Sequence, residues 1–502
     1  MKTILEYLEN SEKKHNSKVA VIDETGRYTY KELVENSKKI GSGILEKIDK
    51  GNPVPVLMEK GKETLSTFFG IVYAGCFYCL LNPSLPETRL KNIINTLNAK
   101  YIVTDQEHSE LATKLVNKDY ILLEEDLKNT DINQTKLNLI RQEILDVDPL
   151  YANFTSGSTG IPKGVVVGNR SVIDFIDNFT NIFNINENDI IGNQAPFDFD
   201  VSVKDIYSSI SKGATLVIIP KRLFSLPVKL LDFICENKVT TLIWAVSALC
   251  LITTFHGLDY KTPESVNKIL FSGEVMPIKH IKQWIEHLPN AMFVNLYGPT
   301  EITCNCTYHI VDKSLNYEKS IPIGKHFPNE EVFLLNDKNE LIKDTGKTGE
   351  ICVKGTCLAL GYYNNEEQTS KSFIQNPLNP NYIDIIYKTG DLGEYDENND
   401  LHFLGRKDFQ IKFMGHRIEL EEIERAMEKI PEVERSCCIF NQEKEKLYGF
   451  YVGKIDKKQV HDYLKNNLPI FMIPNKITQI EKFELTKNGK IDRMALLKNI
   501  KK

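Results

Sequence analysis

Short β-rich runs alternate with amphipathic helical stretches through most of this chain, and that alternation limits the folds open to it. KVAVID (18–23), TLVIIP (215–220) and KILFSG (268–273) have strand length and strand composition. SVIDFIDNFTNIF (171–183) and KHIKQWIEHL (279–288) place apolar residues at helical spacing. The pattern predicts α/β architecture with largely parallel sheets. Around 320–410 the texture changes. EEVFLLNDKNELI, GEICVKG and LGEYDENNDLHFLGR read as strand–turn–strand units, which predicts an antiparallel β subdomain. After Gly405-Arg406-Lys407-Asp408 it changes again, to a charged helical stretch (GHRIELEEIERAMEKIP) and two short strands (SCCIF, LYGFYVG). The expectation is a large domain of stacked α/β sheets over 1–407 and a small α/β domain over 408–502.

The 502 residues exceed what one hydrophobic core organises, in keeping with two domains. With 41% hydrophobic and 26% charged residues the chain is globular. A net charge of −6 argues against a nucleic-acid-binding face. No apolar run approaches the ~18 residues that span a bilayer. The start, MKTILEYLENSEKKH, lacks the apolar centre of a signal peptide, so a cytoplasmic protein without membrane insertion is expected. Ten cysteines are too sparse for a disulfide scaffold. Cys76 and Cys79 lie in apolar YAGCFYCLLNP and read as buried thiols. Neither the Cys304/Cys306 pair nor the Cys437/Cys438 pair has a partner at zinc-ligand spacing.

Residues 155–164 read TSGSTGIPKG. This is not a Walker A loop, because Lys163 is flanked by Pro162 and Gly164 rather than by Gly and Ser/Thr. The chemistry is nonetheless that of an anion cradle. Gly157, Gly160 and Gly164 let the backbone approach a ligand and turn N–H groups inward. Thr155, Ser156, Ser158 and Thr159 add hydroxyls, and Lys163 adds a mobile cation. Alone, such a stretch also suits a plain surface turn.

Other motifs stand in a fixed order around it: YTYKEL (28–33), YGPTE (297–301), GYYNNEEQT (361–369), YKTGD (387–391), GRKDFQIKFMGHRIELEEIE (405–424) and LTKNGKIDR (485–493). In this order the chain resembles the adenylate-forming superfamily of amino-acid adenylation domains, acyl-CoA ligases and luciferases, over essentially its whole length. The resemblance implies two half-reactions: ATP and a carboxylic acid give an acyl-adenylate and pyrophosphate, and a thiol then takes the acyl group. It implies that the glycine loop, Thr155 to Lys163, holds the β- and γ-phosphates. Lys490 falls at the catalytic lysine, where a cation neutralises charge developing on the carboxylate and α-phosphate. Asp391 matches the carboxylate that accepts both ribose hydroxyls, and Arg406 is a candidate for ribose or phosphate contact. Tyr297 looks like the neighbour of adenine and Thr300 like a phosphate contact. Glu301 looks like the carboxylate on the magnesium side; Mg²⁺ prefers oxygen ligands shared with substrate phosphates. Asp408 falls at the hinge about which the small domain rotates between half-reactions. Lys412, Gly415 and a helix beginning near Gly415 are candidates for the thiol-transfer state.

QAPFDFDVSVKDIY (194–207) resembles the substrate segment of amino-acid adenylation enzymes, with Asp200 at the aspartate that pairs with the substrate ammonium. A carboxylate buried beside a pocket is costly unless matched by a cation, so Asp200 predicts an amine on the substrate. Val201, Lys204, Ala245, Leu270, Ser272, Leu296, Cys304 and Asn305 would line the rest of a modest, mixed-polarity pocket suited to a small amino acid. The segment is most similar to the D-alanine–carrier-protein ligases. Three departures leave D-alanine open: Lys204 stands where those ligases have an uncharged residue, IWAVSALCLI (243–252) lacks an expected Thr-Pro-Ser turn, and Ser272 stands where they have a cysteine. As a helix, the segment would put Asp200 and Lys204 on one face. Lys204 then points away from the pocket, meets an acidic or polar substrate side chain, or pairs with Asp200. The acceptor expected from the resemblance is the phosphopantetheine arm of a small acidic carrier protein acting in trans. A free-standing peptide-synthetase-type domain for another amino acid, an acyl- or aryl-CoA ligase, and a silent binding protein are the competing readings.

Overall fold

A computed structural model describes residues 1–502 except 158–160, 316, 318–319, 443, 486–490 and 502, and except the side chains of 494 and 499–501. The chain divides into two compact units. The first comprises Met1–Pro83, Leu97–Asn153 and Gly164–Lys407; the second comprises Ser84–Thr96, Phe154–Lys163 and Asp408–Lys502.

In the first unit, the run KVAVID becomes the strand Val19–Asp23, TLVIIP becomes Thr215–Ile218, and KILFSG becomes Lys268–Ser272. They belong to a nine-stranded sheet whose six central strands are parallel, in the order Met292–Tyr297, Lys268–Ser272, Thr241–Ala245, Ile190–Asn193, Thr215–Ile218, Val19–Asp23. Antiparallel strands cover its two edges. A seven-stranded sheet has the parallel strands Pro53–Leu57, Phe77–Leu81 and Ile102–Thr104 at its centre. Strands of this kind are buried on both faces and read as continuous apolar runs. One core joins the two sheets: Val54, Val56 and Tyr78 from one pack with Val21, Leu216 and Ile243 from the other, through Leu65, Phe68, Val203 and Ile206 of intervening helices. The predicted amphipathic stretches form the helices Asn169–Ile182 and Ile278–His287.

The antiparallel region is present as a separate six-stranded sheet that includes Glu330–Leu335, Gly349–Gly355, Ile385–Tyr395 and Leu401–Arg406. It has its own core around Leu334, Ile351, Val353 and Tyr387.

The second unit corrects one expectation. The charged stretch after Gly415 is not helical from its start. Gln410–Phe413 and His416–Glu419 form a hairpin, and the helix begins only at Leu420, running to Glu428. Met414 and Gly415 both take positive φ, +52° and +78°. Two consecutive residues of that kind make the tight turn that suits the twist of a two-residue hairpin. The helix then packs Leu420, Ile423 and Met427 against Leu447 and Tyr451 of a three-stranded sheet and against Val460 and Leu464 of the helix Lys457–Asn467.

No helix among the described residues is long and apolar enough to cross a membrane. All ten cysteines are free thiols. Burial pushes Cys76 up to about 12, which makes it a packing residue rather than a nucleophile.

Candidate active site

The central parallel strands of the large sheet end together, and polar residues collect just past those ends. Asn193, Ala245 and Ser272 close three neighbouring strands, and Leu296 and Tyr297 close the next. The carboxyl ends of parallel strands are where open α/β sheets bind ligands, because the loops there are free to vary while the ladder stays fixed.

Asp200 reaches this edge as the N-cap of the helix Val201–Lys212, which stops at Gly213 in the left-handed conformation. The thiol of Cys304 donates to the Asp200 carbonyl at 2.8 Å. The Asp200 charge helps push Cys304 above the usual thiol range, after burial, and helps hold up Lys204. Its carboxylate is therefore felt by the buried groups around the strand ends. Val201 is half-buried, while Leu270, Leu296, Cys304 and Asn305 are buried. Cys304 sits at φ +75°, directly after Thr303 at +56°, so this turn is held in an uncommon conformation. The Thr303 hydroxyl anchors it by donating to the Cys357 carbonyl at 2.7 Å.

Lys204 is fully buried, and its ammonium donates to Asn305 Oδ1 at 2.7 Å and to Ser272 Oγ at 3.2 Å. Of the three directions open to Lys204, it takes one toward Ser272 and Asn305, two residues read from the sequence as pocket lining. One helical turn beyond Asp200, the long side chain follows the helix face inward and meets a strand-end residue, Ser272, and a loop residue, Asn305. Nor is it ion-paired to Asp200: among the described residues no carboxylate lies within ion-pair distance of Lys204 Nζ. Burial drives its pKa down, against the pull of Cys304, Asp200 and Asp205.

Behind Lys204 lies a polar chain that the sequence reading did not single out. Asn193 Nδ2 donates to Asp205 Oδ2 at 2.6 Å, and Lys60 Nζ donates to Asn193 Oδ1 and to the Gln194 carbonyl, both at 3.0 Å. Burial pushes Asp205 up to about 7 and Lys60 down to about 8. The adjacency of Asp205 to Lys204 in VKDIY was the one available signal.

A second group gathers around Asp391, which is buried and faces Arg406 across two paired strands. Tyr297 Oη donates to Asp391 Oδ2 at 2.6 Å and Arg406 donates to Oδ1. Arg406 also donates to the Thr389 carbonyl at 3.2 Å. Burial and the Asp391 charge raise the Tyr297 phenol far above its usual range, so it remains a donor. Glu301 is fully buried in the short turn Thr300–Ile302 and accepts from Tyr362 Oη at 2.7 Å. An oxygen donor of this kind suits Mg²⁺, which takes one or two carboxylates and shares the rest of its shell with phosphates and water.

In the second unit, the described part of the glycine loop already holds an anion. Gly157 N donates to Glu422 Oε2 at 3.2 Å, and Ser156 Oγ donates to the Arg417 carbonyl at 2.9 Å. Arg89 donates to the other Glu422 oxygen at 2.6 Å. A Cβ at Gly157 would overlap the Ile161 carbonyl oxygen, so the backbone path requires glycine. Thr155 Oγ1 is buried with no hydrogen-bond partner among the described residues. Lys163 opens the strand Lys163–Gly168. Asp408, the first residue of the long C-terminal segment of this unit, accepts the Gln410 amide at 3.2 Å. Lys412 lies on the first hairpin strand and Gly415 in the turn. Ser158, Thr159, Gly160 and Lys490 lie outside the described residues.

Central parallel strands whose carboxyl ends gather polar side chains mark an α/β protein of the class that binds a ligand at that edge of its sheet. Residues 8–363 match the AMP-binding enzyme family. The chain is 31% identical over 506 residues to surfactin synthase subunit 1 of Bacillus subtilis, covering 99% of this chain and 14% of that protein. It thus spans a small part of the length of such relatives. The Vibrio cholerae adenylation domain AlmE, solved with glycyl-adenosine-5′-phosphate, superposes with a TM-score of 0.86 at 22% identity, covering 99% of this chain and 97% of that one. An artificially fused adenylation–PCP di-domain from Klebsiella oxytoca, NpsA-ThdA, superposes with a TM-score of 0.81 at 21% identity, covering 95% and 94%. The protein belongs to the AMP-binding enzyme family, the adenylate-forming superfamily that its motif order resembles.

Proposed function

We propose that the protein activates a small amino acid with ATP as aminoacyl-AMP and passes the acyl group to the phosphopantetheine thiol of a separate, acidic carrier protein in the cytoplasm. The observation that carries this reading is the placement of Asp200 at the strand ends, where its charge acts on the buried groups Cys304 and Lys204. A carboxylate beside the strand ends favours a cation on the ligand, and the α-ammonium of an amino acid supplies one. D-Alanine is a candidate from the sequence resemblance.

In the first half-reaction a carboxylate oxygen of the amino acid attacks the α-phosphorus. The new O–P bond forms as the bond to the β-phosphate bridge breaks, and pyrophosphate leaves. In the second, the thiol sulfur attacks the acyl carbon, AMP leaves, and the thiol gives up its proton. In this scheme Asp391 accepts the ribose hydroxyls, Tyr297 flanks the adenine and Arg406 orients Asp391. Thr300 and the glycine loop, with Lys163, bind phosphate oxygens. Lys490 neutralises charge that develops between carboxylate and α-phosphate. Glu301 would hold Mg²⁺, which would supply further charge neutralisation on the phosphates. Asp408 serves as hinge between the half-reactions.

The deciding experiment is amino-acid-dependent ATP–pyrophosphate exchange with both enantiomers of alanine, other small amino acids, and aryl and fatty acids. Exchange confined to acids without an amine would replace this reading with an acyl- or aryl-CoA ligase.

A further inference from the structure

Lys204 presents an imbalance that the rest of the site does not resolve. A lysine ammonium has three donors. Two are used, by Asn305 Oδ1 and Ser272 Oγ, and both acceptors are neutral. Among the described residues the third has no acceptor, and no carboxylate pairs with the charge at ion-pair distance. The neighbouring carboxylates Asp200 and Asp205 act on the Lys204 charge, but from beyond ion-pair distance, and Asp205 Oδ1 has no hydrogen-bond partner among the described residues. Asp205 Oδ2 accepts from Asn193, which in turn accepts from Lys60. Asp200, on the proposed reading, serves the substrate ammonium. A fully buried cation whose hydrogen bonds all go to neutral oxygens gains further when a counter-charge arrives with the ligand at contact distance.

We infer that Lys204 receives a carboxylate on the side chain of the amino acid, so that the substrate is a dicarboxylic amino acid of the aspartate type. The inference rests on the amino-acid reading above and deepens it. Asp200 and Lys204 lie one helical turn apart, about 6 Å along the axis. A bound aspartate or glutamate spans a distance of that order between its ammonium and its distal carboxylate. Asn305 and Ser272 act as positioning residues: one comes from the loop before Thr307–Ile310 and the other from the end of Lys268–Ser272, and both hold the ammonium. The burial that weakens Lys204 as a cation in the free protein is offset when the second carboxylate enters.

The test uses the full chain in ATP–pyrophosphate exchange with both enantiomers of aspartate, glutamate, asparagine, glutamine, alanine and serine, and with aryl and fatty acids. The expected result is kcat/KM for aspartate or glutamate about 100-fold above that for its own amide. Buried polar groups left unmatched reject an analogue by at least that factor. Lys204→Met should abolish this ratio, chiefly through KM for the dicarboxylic acid, while KM for ATP stays within about twofold. Asn305→Asp gives a second handle that does not empty the site. It places a carboxylate on Lys204 permanently, and should lower use of the dicarboxylic acid while raising the thermal midpoint. Strongest exchange with alanine, serine or another neutral amino acid, unaffected by Asn305→Asp, would overturn the inference and leave the amino-acid reading intact. Exchange only with acids lacking an amine would remove that reading and the inference together.

Discussion

The carboxylate of Glu422 accepts the backbone amide of Gly157 at 3.2 Å, although 265 residues separate them in the chain. An amide in a glycine loop that takes a carboxylate is also suited to a phosphate oxygen, and the two anions compete for it. Glu422→Gln replaces a charge-assisted bond with a neutral one, a change of about 1 kcal/mol. The expected outcome is a KM for ATP lowered about fivefold in pyrophosphate exchange. An unchanged or raised KM would mean that Glu422 does not stand in the way of the nucleotide.

Gly157 tolerates no side chain, because a Cβ there overlaps the Ile161 carbonyl oxygen. Gly157→Ala should displace the loop backbone and lower exchange at least tenfold. A thermal melt should meanwhile move by only a few degrees, since the loop contributes little to the core. Comparing the two measurements separates a local effect on the loop from a loss of fold.

Tyr297 and Arg406 hold Asp391 from opposite oxygens. Tyr297→Phe removes a hydrogen bond to a buried, charged acceptor, worth about 1.5–3 kcal/mol. Urea unfolding of the first unit should show a loss of that size. KM for ATP should rise with it, because Asp391 loses the group that fixes its orientation.

Stability should depend on pH through Glu124. This side chain is 2% exposed, and burial pushes its carboxyl from the ordinary 4.5 up to about 7, with Lys128 at 3.4 Å opposing the shift. A carboxyl raised in the folded state contributes stability that is fully present below pH ~4.5 and is lost as pH rises through ~7, by up to about 3 kcal/mol. Glu124→Gln should flatten the unfolding free energy across that window. A wild-type curve already flat between pH 4.5 and 7 would show that Lys128 compensates fully.

The strands were legible because parallel strands buried on both faces announce themselves as short apolar runs, and Val19–Asp23, Thr215–Ile218 and Lys268–Ser272 appear where KVAVID, TLVIIP and KILFSG stand. The hairpin at 410–419 was not. GHRIELEEIE has charges at helical spacing throughout, and only the backbone sign at Met414 and Gly415 separates strand from helix. The direction of Lys204 was beyond local reading for another reason. Helical spacing places it on the face of Asp200, but its partners Ser272 and Asn305 lie 68 and 101 residues away. The same holds for Arg89 and Glu422, which meet across 333 residues. Periodicity reports which way a side chain leaves its own element, and the sheet order decides what it meets.

The strands Thr241–Ala245, Lys268–Ser272 and Met292–Tyr297 are joined through backbone hydrogen bonds, whereas the side chains at their ends take no part in that ladder. The ladder itself would survive exchange of Ala245, Ser272 or Leu296, although Ser272 also anchors Lys204 and Leu296 belongs to the core. Such an edge behaves like a row of sockets on a fixed frame. On the proposed reading, single substitutions there would shift the choice of amino acid while the ladder that carries them stays in place. It also sets a practical order for re-engineering: change the strand-end residues first, and leave Lys204 until its two anchors have been rebuilt around whatever replaces it.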